Sequence, residues 1–212
     1  MATRRIHPWP VRLTHWLNAV GMTCMFMSGW AIYNASPLFA FRFAPVLTVG
    51  GWLGGALAWH FAFMWLLFFN GLLYVLYGLF SGHFKRDLLP ITSQAVKRDL
   101  SEALRFKLVH QKGVYNAVQR LMYWLVLAAG VLIVVSGLAI WKPIQLQELT
   151  ALLGGYDVAR YVHFAAMAAI GAFVVVHLAL VLLVPKTLLP MITGGVRPLP
   201  TTGEELRKVN HD

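Results

Sequence analysis

The chain has 212 residues, 58% hydrophobic and 12% charged, with a mean hydropathy of +0.64. That balance excludes an ordinary soluble domain and points to a polytopic membrane protein. The net charge of +10 would suggest nucleic acid in a soluble chain, but here the basic residues lie in loops beside apolar runs. Nucleic acid is therefore excluded as a partner, and topology and contact with the lipid bilayer account for the charge.

Residues 1–12 form a short basic segment with Arg4, Arg5 and Arg12, in which Pro8 and Pro10 flank Trp9 and disfavour a helix before about Val11. The first apolar run, 13–33, is ~20 residues long, enough to span a bilayer. The basic residues ahead of it resemble the start of a secretory leader, but the run carries His15 and reads as a retained span. Residues 34–54 make a loop rich in Pro and Gly, and the second run, 55–80, carries His60 near its start. The longest polar segment is 81–113, in which Ser93 to Leu108 reads as a surface amphipathic helix. The third run is 117–141, a second loop covers 142–158, and the fourth run, 160–184, stops at Pro185. Residues 1–185 thus form one transmembrane domain, and 186–212 a polar, partly irregular tail. No internal repeat is evident.

The fold class expected is an all-α membrane protein, a four-transmembrane-helix bundle with both termini on one side. Of the eighteen Lys and Arg residues, only Arg42, Lys142 and Arg160 fall on the opposite side. The positive-inside rule puts both termini and the 81–113 loop in the cytoplasm.

Two histidines, His163 and His177, stand fourteen residues apart in the fourth run. Fourteen residues at ~3.6 per turn is close to four turns, so both project from nearly one face, roughly 21 Å apart along the axis. Ionisable groups at membrane depth are costly and usually retained for function. The topology matches His15 in depth with His177, and His60 with His163. Two bis-histidine sites inside one bundle suit two planar macrocycles with axial imidazoles. A bare metal would want further ligands, and the spans offer no embedded Asp or Glu. The single Cys24 leaves no disulfide, no cysteine set for zinc or iron–sulfur and no Cys-x-x-Cys-His, so a redox cofactor must be held by histidine or non-covalently.

Gly21, Gly29, Gly71, Gly130, Gly137 and Gly171 in the spans either leave room for flat rings or let helices approach closely. Arg12 and Arg160 each stand three residues before a candidate ligand. Each is a candidate partner for a haem propionate; Arg12 reads equally as a positive-inside anchor. His7 and His211 read as solvated tail residues, and His83 and His110 as polar groups at the membrane surface, with a proton-transfer role as the sharper alternative.

With these motifs assembled, the chain resembles the bacterial dihaem cytochrome b561 family, which includes the cytochrome b subunits of nickel–iron hydrogenases, formate dehydrogenases and thiosulfate reductases. The resemblance covers roughly residues 7–185. It rests on Arg12-x-x-His15-Trp16, His60-Phe61, Tyr115-Asn116-Ala117-Val118-Gln119-Arg120, and the His163/His177 pair. It implies that His15, His60, His163 and His177 ligate the iron of two b haems, and that Asn116 and Gln119 are candidate quinone contacts. The alternative for Asn116 and Gln119 is polar capping at a span entrance. The resemblance also implies a respiratory electron carrier of the bacterial inner membrane. It would work between the quinone pool and a periplasmic redox partner, with a molybdopterin oxidoreductase the closest in flavour. Two alternatives stay open: a stand-alone superoxide:quinone oxidoreductase of the same fold, which asks for a cationic outer funnel, and a haem-free small-solute transporter, which asks for a polar path and broken helices.

Overall fold

The computed structural model describes residues 3–5, 7–82, 91–104 and 116–198. Its dominant elements are four long helices: α1 (Trp9–Ala35), α2 (Leu53–Phe80), α4 (Ala117–Trp141) and α6 (Tyr156–Leu183). Three shorter helices join them: α3 (Ser93–Leu104), α5 (Gln147–Leu152) and α7 (Leu188–Thr193). A two-stranded ribbon, β1 (Thr3–Arg5) with β2 (Val196–Pro198), ties the two ends of the chain together.

Several boundaries differ from those expected. Helix α1 begins at Trp9 rather than near Val11, because Pro10 falls in its first turn, where a missing N–H breaks no hydrogen bond. Helix α6 begins at Tyr156 rather than 160. Gly154 and Gly155, at φ 89° and 99°, turn the chain just ahead of it, and Asp157 sits in the first turn, favourable to the helix dipole. The loop expected over 142–158 contains α5, and the amphipathic helix expected to reach Leu108 is described as far as Leu104. The tail was expected to be partly irregular. As far as Pro198 it holds a 3-10 turn at Pro185–Thr187, then α7 and β2, which returns to the N-terminal segment, and 199–212 lie outside the described residues. The ribbon pairs Thr3 with Pro198, Arg4 with Arg197 and Arg5 with Val196. Three-residue strands at opposite ends of a chain carry too little periodicity to be read in advance.

Helices α2, α4 and α6 are long and apolar enough to cross a membrane. Helix α1 has 27 residues but is interrupted by polar side chains, among them Arg12, His15 and Asn18. Helix α1 packs along α2, and α4 along α6, while backbone contact between the two pairs is sparse. Within the first pair the approach depends on glycine: a Cβ on Gly21 would lie 2.6 Å from Leu67 Cδ2. Between the pairs, side chains meet in antiparallel order along α1 and α6. His15 faces His177, Phe26 lies against Gly171, and Tyr33 packs on Phe164. The fully buried positions are small, with Ala56, Ala139, Ala159, Ser28 and Ser136 at 0% exposure. Large apolar side chains point outward, as surfaces bathed in lipid require.

The loop after α1 is held by side chains. The Asn34 amide donates to the Phe43 carbonyl at 2.8 Å and accepts from the Phe43 N–H at 2.9 Å. Trp30 stacks on Phe43 and Tyr33 on Phe41, so the loop folds back over the ends of α1 and α6.

Candidate functional site

Helix α6 supplies one histidine to each of two clusters. His177 meets His15 of α1, with ring centroids 6.1 Å apart. His163 meets His60 of α2, with centroids 6.5 Å apart. Because α6 is continuous through both, the clusters are separated by about 21 Å along its axis. Two metal–imidazole bonds of about 2 Å and two ring radii of roughly 1.1 Å together span about 6 Å, so each gap matches one metal atom between two axial imidazoles. Among the described residues no group of three or more His, Cys, Asp or Glu side chains is placed to hold a bare metal ion. The donor set therefore fits a macrocycle that supplies its own equatorial ligands.

The His60/His163 cluster is braced by two buried serines. Ser28 of α1 hydrogen-bonds the Cys24 carbonyl at 2.7 Å and lies 3.0 Å from His60 Nδ1. Ser136 of α4 hydrogen-bonds the Leu132 carbonyl at 2.7 Å and lies 3.1 Å from His163 Nδ1. A hydroxyl has one hydrogen; with that hydrogen on a backbone carbonyl, its oxygen is left to accept from the imidazole. His163 Nδ1 also lies 3.1 Å from the Ile133 carbonyl, which can only accept. Nδ1 therefore carries the proton, and Nε2 keeps its lone pair. The residue after each serine is a glycine facing the same ring. A Cβ on Gly29 would lie 3.5 Å from His60 Cε1, and one on Gly137 3.2 Å from His163 Cε1.

The His15/His177 cluster is built differently. Trp16 packs edge-on to His15, and Phe173 stacks on His177 at an interplanar angle of 12°. Among the described residues neither ring has a hydrogen-bond partner. The C-terminal segment closes over this end: Arg12 Nη1 donates to the Ile192 carbonyl, Trp16 Nε1 to the Met191 carbonyl, and the His7 N–H to the Gly194 carbonyl. Among the described residues Arg12 Nε is buried without a partner.

The remaining sequence candidates fall as follows. Arg160 donates to the Ser36 carbonyl at 2.6 Å and to Ser36 Oγ at 3.0 Å, bracing α6 against the end of α1, and lies 4.0 Å from Asp157. Asn116 and Gln119 form a reciprocal capping box at the start of α4. Asn116 Oδ1 accepts from the Gln119 N–H at 2.8 Å, and Gln119 Oε1 from the Asn116 N–H at 3.1 Å. His7 is half-buried rather than solvated; burial and the Arg12 guanidinium push its pKa below the usual 6.5. His83, His110 and His211 lie outside the described residues. Of the six glycines, only Gly29 and Gly137 face a histidine. Gly21 and Gly171 serve contacts with Leu67 and Phe26, and Gly71 and Gly130 border open space.

Sequence reasoning missed Ser28, Ser136 and the buried Asp99. The signal for the serines was present: two Ser-Gly dipeptides, each inside an apolar run. Asp99 accepts from the Ala117 N–H at 2.8 Å, so α3 caps α4 from outside. Nothing local to residue 99 foretells that contact.

A family model described as prokaryotic cytochrome b561 matches residues 6–194. A curated relative from Azospira oryzae, described as a putative protein-methionine-sulfoxide reductase subunit, YedZ1, is 50% identical over 190 residues, covering 89% of this chain and 96% of the relative. No solved structure matches.

Proposed function

The chain belongs to the prokaryotic cytochrome b561 family of membrane electron-transfer proteins, and on that premise we propose that it is a four-span, dihaem b-type cytochrome of the bacterial inner membrane. Its termini face the cytoplasm. It passes electrons from membrane quinol to a periplasmic oxidoreductase subunit. The observation that carries this reading is the pair of facing histidine couples, at 6.1 and 6.5 Å, held at two depths by one continuous helix.

In this reading His15 and His177 hold the cytoplasmic-side haem, and His60 and His163 the outer one. When bound, the haems supply reversible one-electron transfer, with potentials set by ligation, burial and nearby hydrogen bonds. Arg12 is one turn from His15, and its unpartnered buried Nε–H supports a propionate contact at the inner site. Arg160 is engaged by Ser36, so a propionate would share a guanidinium that also ties α6 to α1. Asn116 and Gln119 line the cytoplasmic entrance of α4. The capping box engages the oxygens of both amides, so a quinone carbonyl would be met by their NH2 groups.

The partner and the direction of flow rest on the relative. Its description as a reductase subunit supports a partner that reduces oxidised methionine in proteins, with a molybdopterin centre as the sequence resemblance implied. Quinol releases two electrons and two protons. Converting a sulfoxide to a thioether and water consumes the same number. The stand-alone superoxide reading asks for a cationic funnel on the outer face. There the sequence sets only Arg42, Lys142 and Arg160 against Glu148 and Asp157.

The test is haem stoichiometry on the purified chain by pyridine haemochrome. Two b haems per chain are expected. His163→Ala and His177→Ala should each lose one, and the two reduced-minus-oxidised spectra should differ. A well-folded chain without haem would overturn the reading.

A further inference from the structure

The two serine–histidine units are related in a way the family membership does not supply. Ser28-Gly29 on α1 faces His60 on its packing partner α2, and Ser136-Gly137 on α4 faces His163 on its packing partner α6. The local geometry repeats closely. Each serine bonds the carbonyl four residues back at 2.7 Å and contacts the one three back, Met25 at 3.2 Å and Ile133 at 3.3 Å. Each lies within 3.1 Å of an imidazole Nδ1 and is fully buried. One helical pair thus contributes one braced histidine, and the other pair contributes its counterpart. The His15/His177 cluster has no such brace among the described residues.

We infer that Ser28 and Ser136 are positioning residues of the outer haem site, fixing both axial imidazoles as Nδ1–H tautomers and lowering the potential of the iron they hold relative to an unbraced site. This rests on the dihaem reading above. The physical basis is the effect of an outer hydrogen bond on a ligand: an Nδ1–H donated to oxygen makes Nε2 more basic, and a more basic ligand favours the oxidised metal. The serine oxygen is left to accept, since its hydrogen is engaged by the helix, and it shares the Nδ1–H with a backbone carbonyl, Met25 at His60 and Ile133 at His163. Burial keeps water from replacing it. At Gly137 the missing Cβ lets the His163 ring lie close against α4, while at Gly29 a Cβ would make an ordinary contact with His60. Because both ligands of one site are braced and neither ligand of the other, the two sites differ in the donor strength of their axial ligands.

The test is the midpoint potential of the outer haem in full-length chain carrying His15→Ala, which leaves that haem alone to be read. Each variant leaves a backbone carbonyl at the ring, Met25 at His60 and Ile133 at His163, so Ser28→Ala and Ser136→Ala should each raise the midpoint in part, and the double variant should raise it furthest, while pulsed EPR reports a changed coupling of the remote imidazole nitrogen. In the chain with all four histidines the wave of the inner haem should stay in place. An unmoved outer wave in variants that keep their haem overturns the inference. If the double variant loses the haem, the single variants decide. If a single variant loses it, the matching Ser→Cys chain, which keeps a weaker acceptor, should retain haem at a midpoint above that of the serine chain; an unshifted midpoint there overturns the inference. A wild-type chain without haem at this site would overturn the dihaem reading, and this inference with it. An unmoved wave in a two-haem chain overturns the inference alone.

Discussion

The side-chain amide of Asn70 in α2 donates at 2.8 Å to both Asn18 Oδ1 and the Thr14 carbonyl in α1. Asn70 is 4% exposed, and its own Oδ1 has no partner. The bonds flank His15, one at the residue before it and one a turn after it, so they fix how α2 lies along the helix that carries one candidate ligand. Interhelical hydrogen bonds in membranes average ~0.6 kcal/mol and reach ~1.7. Two bonds lost in Asn70→Ala should cost about 1–3 kcal/mol, read as a lower midpoint for unfolding in mixed detergent. Haem at the His60/His163 site should be retained. An unchanged midpoint would mean that Asn70 contributes nothing to the α1–α2 interface.

Asp99 predicts a different failure. Its carboxylate reaches from α3 to the first N–H of α4, and Arg98 lies 3.2 Å from it. The capping box already satisfies the Gln119 N–H, so Asp99 completes the helix start from another element. Removing an acceptor at this position costs roughly 0.5–2 kcal/mol, and a carboxylate also suits the positive end of a helix. Asp99→Ala should therefore undock α3, with faster proteolysis within 91–104 and little change at the haem sites. Asp99→Asn should fall between. Equal proteolysis of wild type and Asp99→Ala would show that α3 is held by its apolar face instead.

The long helices and the histidine clusters were legible in the sequence because both signals are strong and local. Apolar runs of membrane length mark the helices, and depth alone matches His15 with His177 and His60 with His163. Helix α4 coincides with the third apolar run, 117–141, where Asn116 caps it and Lys142 ends it. What escaped detection is contact at long range. The ribbon joins residues 3–5 to 196–198, Arg12 is drawn to the Ile192 carbonyl, and Asp99 reaches Ala117. Each depends on the chain returning to itself, which no periodicity encodes. The serines are an intermediate case. A Ser inside an apolar helix usually bonds its own backbone, as both do here. That each oxygen also meets an imidazole emerges only once α1 lies on α2 and α4 on α6.

The two glycines beside the histidines should respond unequally to alanine. At Gly29 the added methyl would meet His60 Cε1 at 3.5 Å, an ordinary contact. At Gly137 it would meet His163 Cε1 at 3.2 Å, tighter than most real contacts, and the adjoining Nδ1 is held in place by Ser136 and Ile133. Gly29→Ala should leave the outer haem nearly unchanged. Gly137→Ala should displace the His163 ring, seen as partial loss of outer haem or an altered low-spin EPR signal. Overpacking of this kind costs typically 1–3 kcal/mol. Equal behaviour of the two variants would contradict the described position of His163 against α4.

His7 makes the closure of the chain ends sensitive to pH. Its backbone N–H donates to the Gly194 carbonyl at 3.0 Å, between the ribbon and α1. Burial, and then the nearby Arg12, disfavour the imidazolium, so the folded pKa lies below 6.5. The unfolded segment binds the proton more readily, and stability therefore rises with pH across this window. The contribution of neutral His7 is complete above 6.5 and is lost as pH falls below that value toward the folded pKa. Protection factors for backbone amides of 3–12 and 188–198 should be lower at pH 5.5 than at pH 7.5, by hydrogen exchange in detergent or nanodiscs. His7→Gln keeps the backbone bond but cannot gain the charge, so it should flatten the dependence. Unequal protection that persists in His7→Gln would assign the effect to another group, and equal protection at both pH values in wild type would show that the imidazolium is accommodated where it stands.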